Sequence, residues 1–184
     1  MKPIFTIHTG EYLVGTYIEK HFNNYNVWIP SKDRGIDLLV TNKWNQKKAV
    51  SLQVKFSKDF LATHMADIFQ QGLKACGWWT INREKLKASI ADYWVFTLHA
   101  FKKTDIQFII IKPDYFLKRI DDIHGKKHKI IQTYLWVTEK KKCWETRNLN
   151  KAEQILVAND AYSNPDRNLT KYLNNWDLLK RQLG

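Results

Sequence analysis

Apolar residues recur along the chain at spacings that predict alternating helices and strands. Val14, Ile18 and Phe22 are four residues apart, which predicts a helix over 10–22 that Thr9 caps and Asn23-Asn24 ends. Runs of β-branched and aromatic residues predict strands at 27–30, 36–41, 49–56, 93–101, 106–111 and 130–137. Further helices are predicted at 60–76, where Gly77 would end the helix, at 113–120, and over the stripe 169–179.

This order of elements predicts an α/β fold of the mixed α+β kind, in which a central mixed β-sheet is flanked by helices. The 184 residues contain no repeat, low-complexity segment or evident linker. We therefore expect a single domain over 1–184, with a C-terminal elaboration over about 112–184.

Charge and cysteine content narrow the classes of partner and compartment. Hydrophobic residues make up 44%, charged residues make up 26%, and the formal net charge is +12. Such a surplus favours a polyanionic partner, nucleic acid first, although a basic surface also serves solubility. Cys76 and Cys143 fit no zinc spacing and no disulfide framework, and no apolar run has the length of a signal peptide or a membrane span. We expect a cytoplasmic protein that has no membrane partner.

Two predicted strands place three polar side chains on one patch of sheet. Asp37 interrupts an apolar strand, and Gln53 and Lys55 share one face of the next strand. If the loop between the strands pairs Thr41 with Ala49, Asp37 lies opposite Gln53 and Lys55 is its diagonal neighbour. A register slip of one residue would send one of the two sets to the other face.

The first helix adds a fourth polar residue. Glu11 lies in its first turn and shares a stripe with Val14 and Ile18, so it should point inward at the end of the helix. A carboxylate at the rim of a core requires a cation or a hydrogen-bond donor. An acid in a first helical turn is also favoured by the helix dipole alone, and this alternative stays open.

Phosphodiester hydrolysis is chemistry that such a set can serve. Mg²⁺ neutralises phosphate oxygens, lowers the pKa of a bound water and prefers a few oxygen ligands. Asp37, the side-chain oxygen of Gln53 and the backbone carbonyl of Val54 could supply them, with Mn²⁺ as an alternative ion. Lys55 could orient the attacking water and stabilise developing negative charge.

The same residues resemble a known family. The region 9–57 is similar to the PD-(D/E)xK nuclease superfamily, and within it to small restriction-endonuclease-like proteins with a Gly-Ile-Asp and a Gln-Val-Lys motif. The segments that carry the resemblance are Gly10-Glu11, Arg34-Gly35-Ile36-Asp37-Leu38-Leu39-Val40 and Leu52-Gln53-Val54-Lys55. It implies a restriction-endonuclease-like core and a metal-dependent deoxyribonuclease, with Asp37 as the central metal ligand, Gln53 in the acidic position, Lys55 as the catalytic lysine and Glu11 as the helix acid.

Gln53 departs from the commonest pattern of that family, because it is a neutral and weaker ligand than an acid. The sequence also leaves structural alternatives open: Asp37 as a strand-end acid bonded to backbone, and Lys55 as a solvent-facing edge lysine. Beside the endonuclease stand two other hypotheses, an inactive nucleic-acid-binding module and an interaction subunit on the same fold.

Basic residues around the candidate site are the predicted contacts to nucleic acid, with DNA ahead of RNA. They are Lys32, Arg34, Lys43, Lys47, Lys48 and Lys58. A homodimer is also open, because one site of this kind cuts one strand. The sequence does not distinguish restriction, repair and recombination.

Overall fold

The computed structural model describes residues 8–32, 34–57, 60, 66–100 and 105–184. The helices are α1 (Thr9–His21), α2 (Asp67–Gly72), α3 (Arg83–Lys87), α4 (Pro113–His124), α5 (Lys151–Ala158) and α6 (Asp177–Leu183), with a short 3-10 helix at Thr170–Tyr172. The strands are β1 (Tyr25–Trp28), β2 (Leu38–Asn42), β3 (Ala49–Ser57), β4 (Leu73–Asn82), β5 (Tyr93–Ala100), β6 (Asp105–Ile111), β7 (Ile130–Thr138) and β8 (Cys143–Glu145).

Five strands form a mixed sheet in the order β1-β2-β3-β5-β6. β3 and β5 run parallel, and the other neighbouring strands are antiparallel. The parallel pair requires a crossover, and the chain between β3 and β5 provides it. The predicted mixed sheet flanked by helices is confirmed at this level.

One face of this sheet is covered by the two helices at the ends of the chain. Val14 and Ile18 of α1 and Leu179 and Leu183 of α6 pack against apolar side chains of the strands, Val50 among them. Asn42 ties the C-terminal segment to the sheet, because its side-chain amide donates to the carbonyls of Leu183 and Gly184 at 3.1 and 3.2 Å. The C-terminal segment thus belongs to the helical layer on this face of the five-stranded sheet.

The other face packs against a second sheet, which the sequence did not predict. β4, β7 and β8 form an antiparallel sheet in the order β4-β7-β8. Trp79 of β4 and Leu135 of β7 share a core cluster with Phe96 of β5 and Phe116 of α4. The prediction of a single central sheet was therefore incomplete, because the structure contains this second sheet as well.

The predicted helix at 60–76 is wrong over its last part. Only Asp67–Gly72 is helical, residues 61–65 lie outside the described residues, and β4 begins at Leu73. Leu73, Ala75, Trp79 and Ile81 are buried with the period of a strand, and pairing with β7 decides the local structure. Gly77 ends no helix; a Cβ there would lie 2.3 Å from the Trp79 ring, so the glycine makes room for that ring.

The predicted helix over 169–179 is also wrong as one continuous element. It divides into the 3-10 helix and α6, because Asn174 between them adopts a left-handed φ of 49°. The backbone and side chain of Asn174 bond both backbone groups of Phe108, and its amide donates to Gln107 Oε1 at 2.8 Å. This pairing with β6 overrides the helical pattern.

At the start of the chain, Thr9 is the first residue of α1 rather than its cap. None of the helices among the described residues has the length and apolar character that a membrane crossing requires.

Candidate functional site

The hairpin of β2 and β3 has the register that the sequence predicted. Thr41 pairs with Ala49 and Leu38 pairs with Leu52, so the paired residue numbers sum to 90. The ladder reaches no further than Leu38 and Leu52, and the chain before β2 then leaves β3. Asp37 lies at this point of separation.

The carboxylate of Asp37 is held against the edge of β3. The Asp37 N–H donates to the Leu52 carbonyl at 2.9 Å, and the Val54 N–H donates to Asp37 Oδ2 at 2.6 Å. The side chain takes the place of a strand acceptor for Val54, which is the structural alternative raised above. The same bond fixes a half-buried negative charge at the edge of the strand.

The carbonyl of Val54 faces the same edge. In an extended strand the N–H and C=O of one residue point to the same side. Because the Val54 N–H points at Asp37, the Val54 carbonyl lies on the Asp37 side of β3, beyond the last residue pair of the hairpin. A carboxylate and a backbone carbonyl thus lie on the same edge of β3.

Gln53 and Lys55 lie on the face of β3 opposite Val54, in agreement with strand alternation. Val54 packs with the α1 layer, whereas Lys55 Nζ lies 4.6 Å from the centroid of the Trp94 ring. The Trp79 indole donates to the Lys55 carbonyl at 3.1 Å. Gln53 is half-buried and pairs with Trp94 on β5. The side chains of Gln53 and Lys55 therefore both lie next to the Trp94 ring.

Glu11 lies on the other side of β3. The start of α1 packs against Val54 and Phe56, since a Cβ on Gly10 would lie 2.7 Å from Phe56 Cβ. Glu11 Oε2 accepts the His8 N–H at 3.1 Å and so caps its own helix. The structure therefore brings Asp37 and Val54 into contact and gives Gln53 and Lys55 a common face, but it places Glu11 in the α1 layer next to the Val54 stretch.

The sequence analysis assigned no role to two exposed tryptophans, one in β1 and one in the β2–β3 loop. Trp28 pairs with Leu39, its indole donates to Thr41 Oγ1 at 2.9 Å, and 49% of the residue is exposed. By alternation it lies in phase with Asp37. Trp44, in the loop between β2 and β3, is 83% exposed. Trp28 lay within the strand predicted at 27–30, but its face depends on the pairing with β2.

Asp92 is a third residue that the sequence analysis did not assign to this region. Its Oδ2 accepts the backbone N–H of Ser51 at 2.8 Å and the Ser51 hydroxyl at 2.6 Å. Ser51 is two residues from Gln53 on β3, and it makes three hydrogen bonds with Asp92: two are donated to the Asp92 carboxylate, and one is donated by the Asp92 N–H to Ser51 Oγ. Asp92 thus holds the start of β5 beside the candidate site.

The predicted contacts to nucleic acid are exposed where the structure describes them. Lys43, Lys47 and Lys48 lie in the same loop as Trp44, and Asn42 Oδ1 orders that loop by accepting the N–H groups of Trp44 and Asn45. Lys32 and Arg34 are exposed just before β2, and Lys58 lies outside the described residues.

The oxygen ligands at this site, only one of which is charged, fit a hard divalent cation such as Mg²⁺. Asp37 supplies a carboxylate, Val54 a carbonyl on the same edge and Gln53 an amide oxygen on the neighbouring position, and Mg²⁺ accepts such oxygen ligands together with several waters. Among the described residues, no three His, Cys, Asp or Glu side chains are grouped to hold a metal ion. A site here would depend on neutral oxygens to complete its ligands.

The candidate site thus lies on the surface at the end of the β2–β3 hairpin opposite the basic loop and Trp44, because Leu38 and Leu52 end the ladder beside Asp37 whereas Thr41 and Ala49 adjoin the loop. The chemistry of that surface has to be inferred from its own geometry. The chain matches no protein-family model, no curated protein and no solved structure.

Proposed function

We propose that this protein is a Mg²⁺-dependent endonuclease that hydrolyses DNA phosphodiester bonds, with a restriction-endonuclease-like core. Asp37, Gln53 and the Val54 carbonyl hold the metal, Lys55 is the catalytic lysine, and Glu11 approaches from the α1 layer. Mn²⁺ would serve in place of Mg²⁺.

The single observation that carries this proposal is the geometry at the end of the β2–β3 ladder. Asp37 is held on the edge of β3 at 2.6 Å from the Val54 N–H, and the Val54 carbonyl faces that same edge. Gln53 and Lys55 flank Val54 on the strand and turn to the opposite face. The proposed site thus combines the carboxylate of Asp37 with a carbonyl, an amide and an ammonium from three consecutive residues of β3.

Each residue has a definite task in hydrolysis, in which water forms a new bond to phosphorus and a ribose oxygen leaves. A bound Mg²⁺ would neutralise phosphate charge and make a bound water more acidic. Lys55 supplies a positive charge to the phosphate oxygens as negative charge develops on them. The Trp94 ring under its ammonium fixes the position of that charge, since a cation is attracted to a ring face at 4.6 Å.

Charge and exposed aromatics suit a DNA substrate. The net charge of +12 and the exposed lysines of the β2–β3 loop favour phosphate backbone. Trp44 in that loop and Trp28 at the end of β1 are exposed and present ring faces on which unpaired bases can stack.

Cleavage of plasmid and oligonucleotide DNA with Mg²⁺ or Mn²⁺ tests the proposal. We expect Lys55→Ala to lose at least about a hundredfold in rate, as for removal of a group that stabilises developing charge. Lys151→Ala is the matched control, because Lys151 Nζ also stacks on a ring, 5.0 Å from that of Phe69, away from the site. Equal rates for the two variants would refute the role of Lys55.

An inactive nucleic-acid-binding module is the second candidate, and specific contacts favour it. Asp37 Oδ2 is engaged by a backbone N–H, Glu11 caps its own helix, and Gln53 carries no charge. Salt-dependent DNA binding by the wild-type protein, with no cleavage under either metal, would select this candidate over the nuclease.

A further inference from the structure

A basic pocket lies in the second layer of the molecule, away from Asp37. Its volume is about 550 Å³, and it is formed by the end of α4, the start of β7 and the segment that follows β8. That volume lies within the range of pockets that hold small organic ligands. Its inner surface includes the isoleucines 120, 123, 130 and 131.

The polar side chains of the pocket are three arginines, two histidines and the amides of Gln132 and Asn148. Arg83, Arg147, Arg167, His124 and His128 line it, and none of the described residues that line it is acidic. Two carboxylates behind the wall compensate part of this charge. Asp121 pairs with Arg83, and Glu145 lies 2.7 Å from Arg167 Nη1.

Arg147 is the cation that these carboxylates leave uncompensated. None of the described residues forms an ion pair with its guanidinium, which lies 5.9 Å from the centroid of the Tyr134 ring. Its backbone is fixed instead, because the Arg147 N–H donates to Glu145 Oε1 at 3.3 Å. A half-buried arginine held in this way presents its charge to the pocket.

Arg167 is positioned through one nitrogen only. Nη1 donates to Glu145 Oε2 at 2.7 Å, to the Glu145 carbonyl at 3.2 Å and to the Arg147 carbonyl at 2.9 Å. Its Nε and Nη2 make no hydrogen bond within the described part of the chain, although only 13% of the side chain is exposed. Two donors of a nearly buried guanidinium therefore remain for an acceptor in the pocket.

Glu145 positions the basic side chains of the pocket without neutralising all of their positive charge. It is fully buried, and it contacts both Arg167 and His124, whose Nε2 lies 3.1 Å from Glu145 Oε2 without hydrogen-bond alignment. Its single charge faces two groups that carry up to two positive charges. With Arg147 added, the pocket retains a net positive charge and planar donors that suit phosphate oxygens.

We propose that this pocket binds the phosphate group of a ligand of mononucleotide size, with Arg147 and Arg167 as its contacts. The isoleucines provide apolar surface for the rest of the ligand. The phosphate could be carried by a free mononucleotide or by the terminal nucleotide of a strand, and the chemistry recognised is the same. This inference does not rest on the proposed nuclease activity.

Calorimetric titration of the full chain tests the pocket. The probes are inorganic phosphate, a nucleoside 5′-monophosphate, the unphosphorylated nucleoside, and an oligonucleotide with and without a 5′-phosphate. We expect the monophosphate to bind and the nucleoside not to bind. Preference for the 5′-phosphorylated oligonucleotide over the free monophosphate would identify a strand end as the source.

Arg147→Ala should weaken binding of the monophosphate by about ten- to a hundredfold, as for loss of hydrogen bonds to a charged group. The variant should fold, because the Arg147 side chain makes no hydrogen bond or ion pair within the described residues. Arg181→Ala, an exposed arginine of α6, is the control and should bind as the wild type does. Equal affinity of both variants, or no binding of any phosphate probe, would overturn the proposal.

Discussion

Asp37 and Glu145 are both acids at the ends of short strand ladders, but they lie in very different surroundings. Glu145 is fully buried and accepts bonds from Arg167, Thr133 and backbone N–H groups. Burial and the charge of Glu145 also raise the pKa of the Cys143 thiol well above its ordinary value. Asp37 is half-buried at the edge of β3, where solvent has access.

The difference shows that two carboxylates of one chain can lie in surroundings with different chemical consequences. A sealed carboxylate is a structural group, since its charge must be matched within the protein. A carboxylate at an accessible strand edge is held by a backbone N–H, and in the proposed function it also meets a metal ion. The contrast predicts that Glu145 governs stability and that Asp37 governs activity.

The largest expected effect belongs to Glu145→Gln. Removing its charge leaves the nearly buried Arg167 without its counter-ion, which costs about 3–5 kcal/mol for buried pairs and lowers Tm by roughly 10 °C in a domain of this size. Thermal and urea denaturation measure it. Asp166→Asn makes the same chemical change at an exposed position, 4.0 Å from Arg119, and should change Tm little. Equal Tm values for the two variants would contradict the assignment.

The next effect is that of Asp37→Asn on DNA cleavage. The amide oxygen can still accept the Val54 N–H, so stability should change by no more than about 1 kcal/mol. The charge is lost, however, and cleavage should fall by at least about a hundredfold, since even outer partners of metal ligands contribute ten- to a hundredfold. Cleavage that survives in Asp37→Asn but not in Asp37→Ala would assign Asp37 a structural role.

The predictable part of this region was the hairpin, and the reason is local. Alternation along 49–56 placed Gln53 and Lys55 on one face, and the pairing of Thr41 with Ala49 that the sequence analysis assumed is the one in the structure. The bond from the Val54 N–H to Asp37 could not be predicted, because it depends on where β2 leaves β3.

The second layer was largely unpredictable from the sequence. β4 contains Leu73, Ala75 and Cys76, which also fit a helical stripe, and only pairing with β7 some sixty residues later makes them a strand. Glu145 lies in a strand of three residues, too short to show a period. Its partners Arg167 and His124 are brought to it by packing of α4 and of the segment after α5.

A smaller effect on stability is expected from substitutions at the contact between α1 and β3, which alter no carboxylate. A Cβ added in Gly10→Ala would lie 2.7 Å from Phe56 Cβ and 3.1 Å from Val54 Cγ1, so the helix must move from the strand, at about 1–3 kcal/mol. Gly15→Ala is the control on the same helix, because its Cβ would meet Val27 at an ordinary 3.6 Å and helix propensity improves. Urea midpoints should fall for Gly10→Ala and stay level or rise for Gly15→Ala; a reversed order would show that α1 is not seated on Val54 in this way.

The smallest effect on stability is expected for a third carboxylate, that of Asp177. It is exposed and accepts a hydrogen bond from Lys180 Nζ at 2.8 Å. The hydrogen bond and charge of Lys180 lower the pKa of Asp177 from its ordinary 3.8, and those of Asp177 raise the pKa of Lys180 from 10.5. The stabilisation by Asp177 is therefore present above pH 3.8 and lost as the pH falls through its lowered pKa, while that by Lys180 is lost as the pH rises through its raised pKa. The difference in urea midpoint between wild type and Asp177→Asn should be small at neutral pH and should vanish in acid, because an exposed pair contributes little. A difference that persists unchanged in acid would mean that Asp177 acts through helix capping at the start of α6 rather than through its charge. The comparison of buried and exposed carboxylates would then no longer include Asp177.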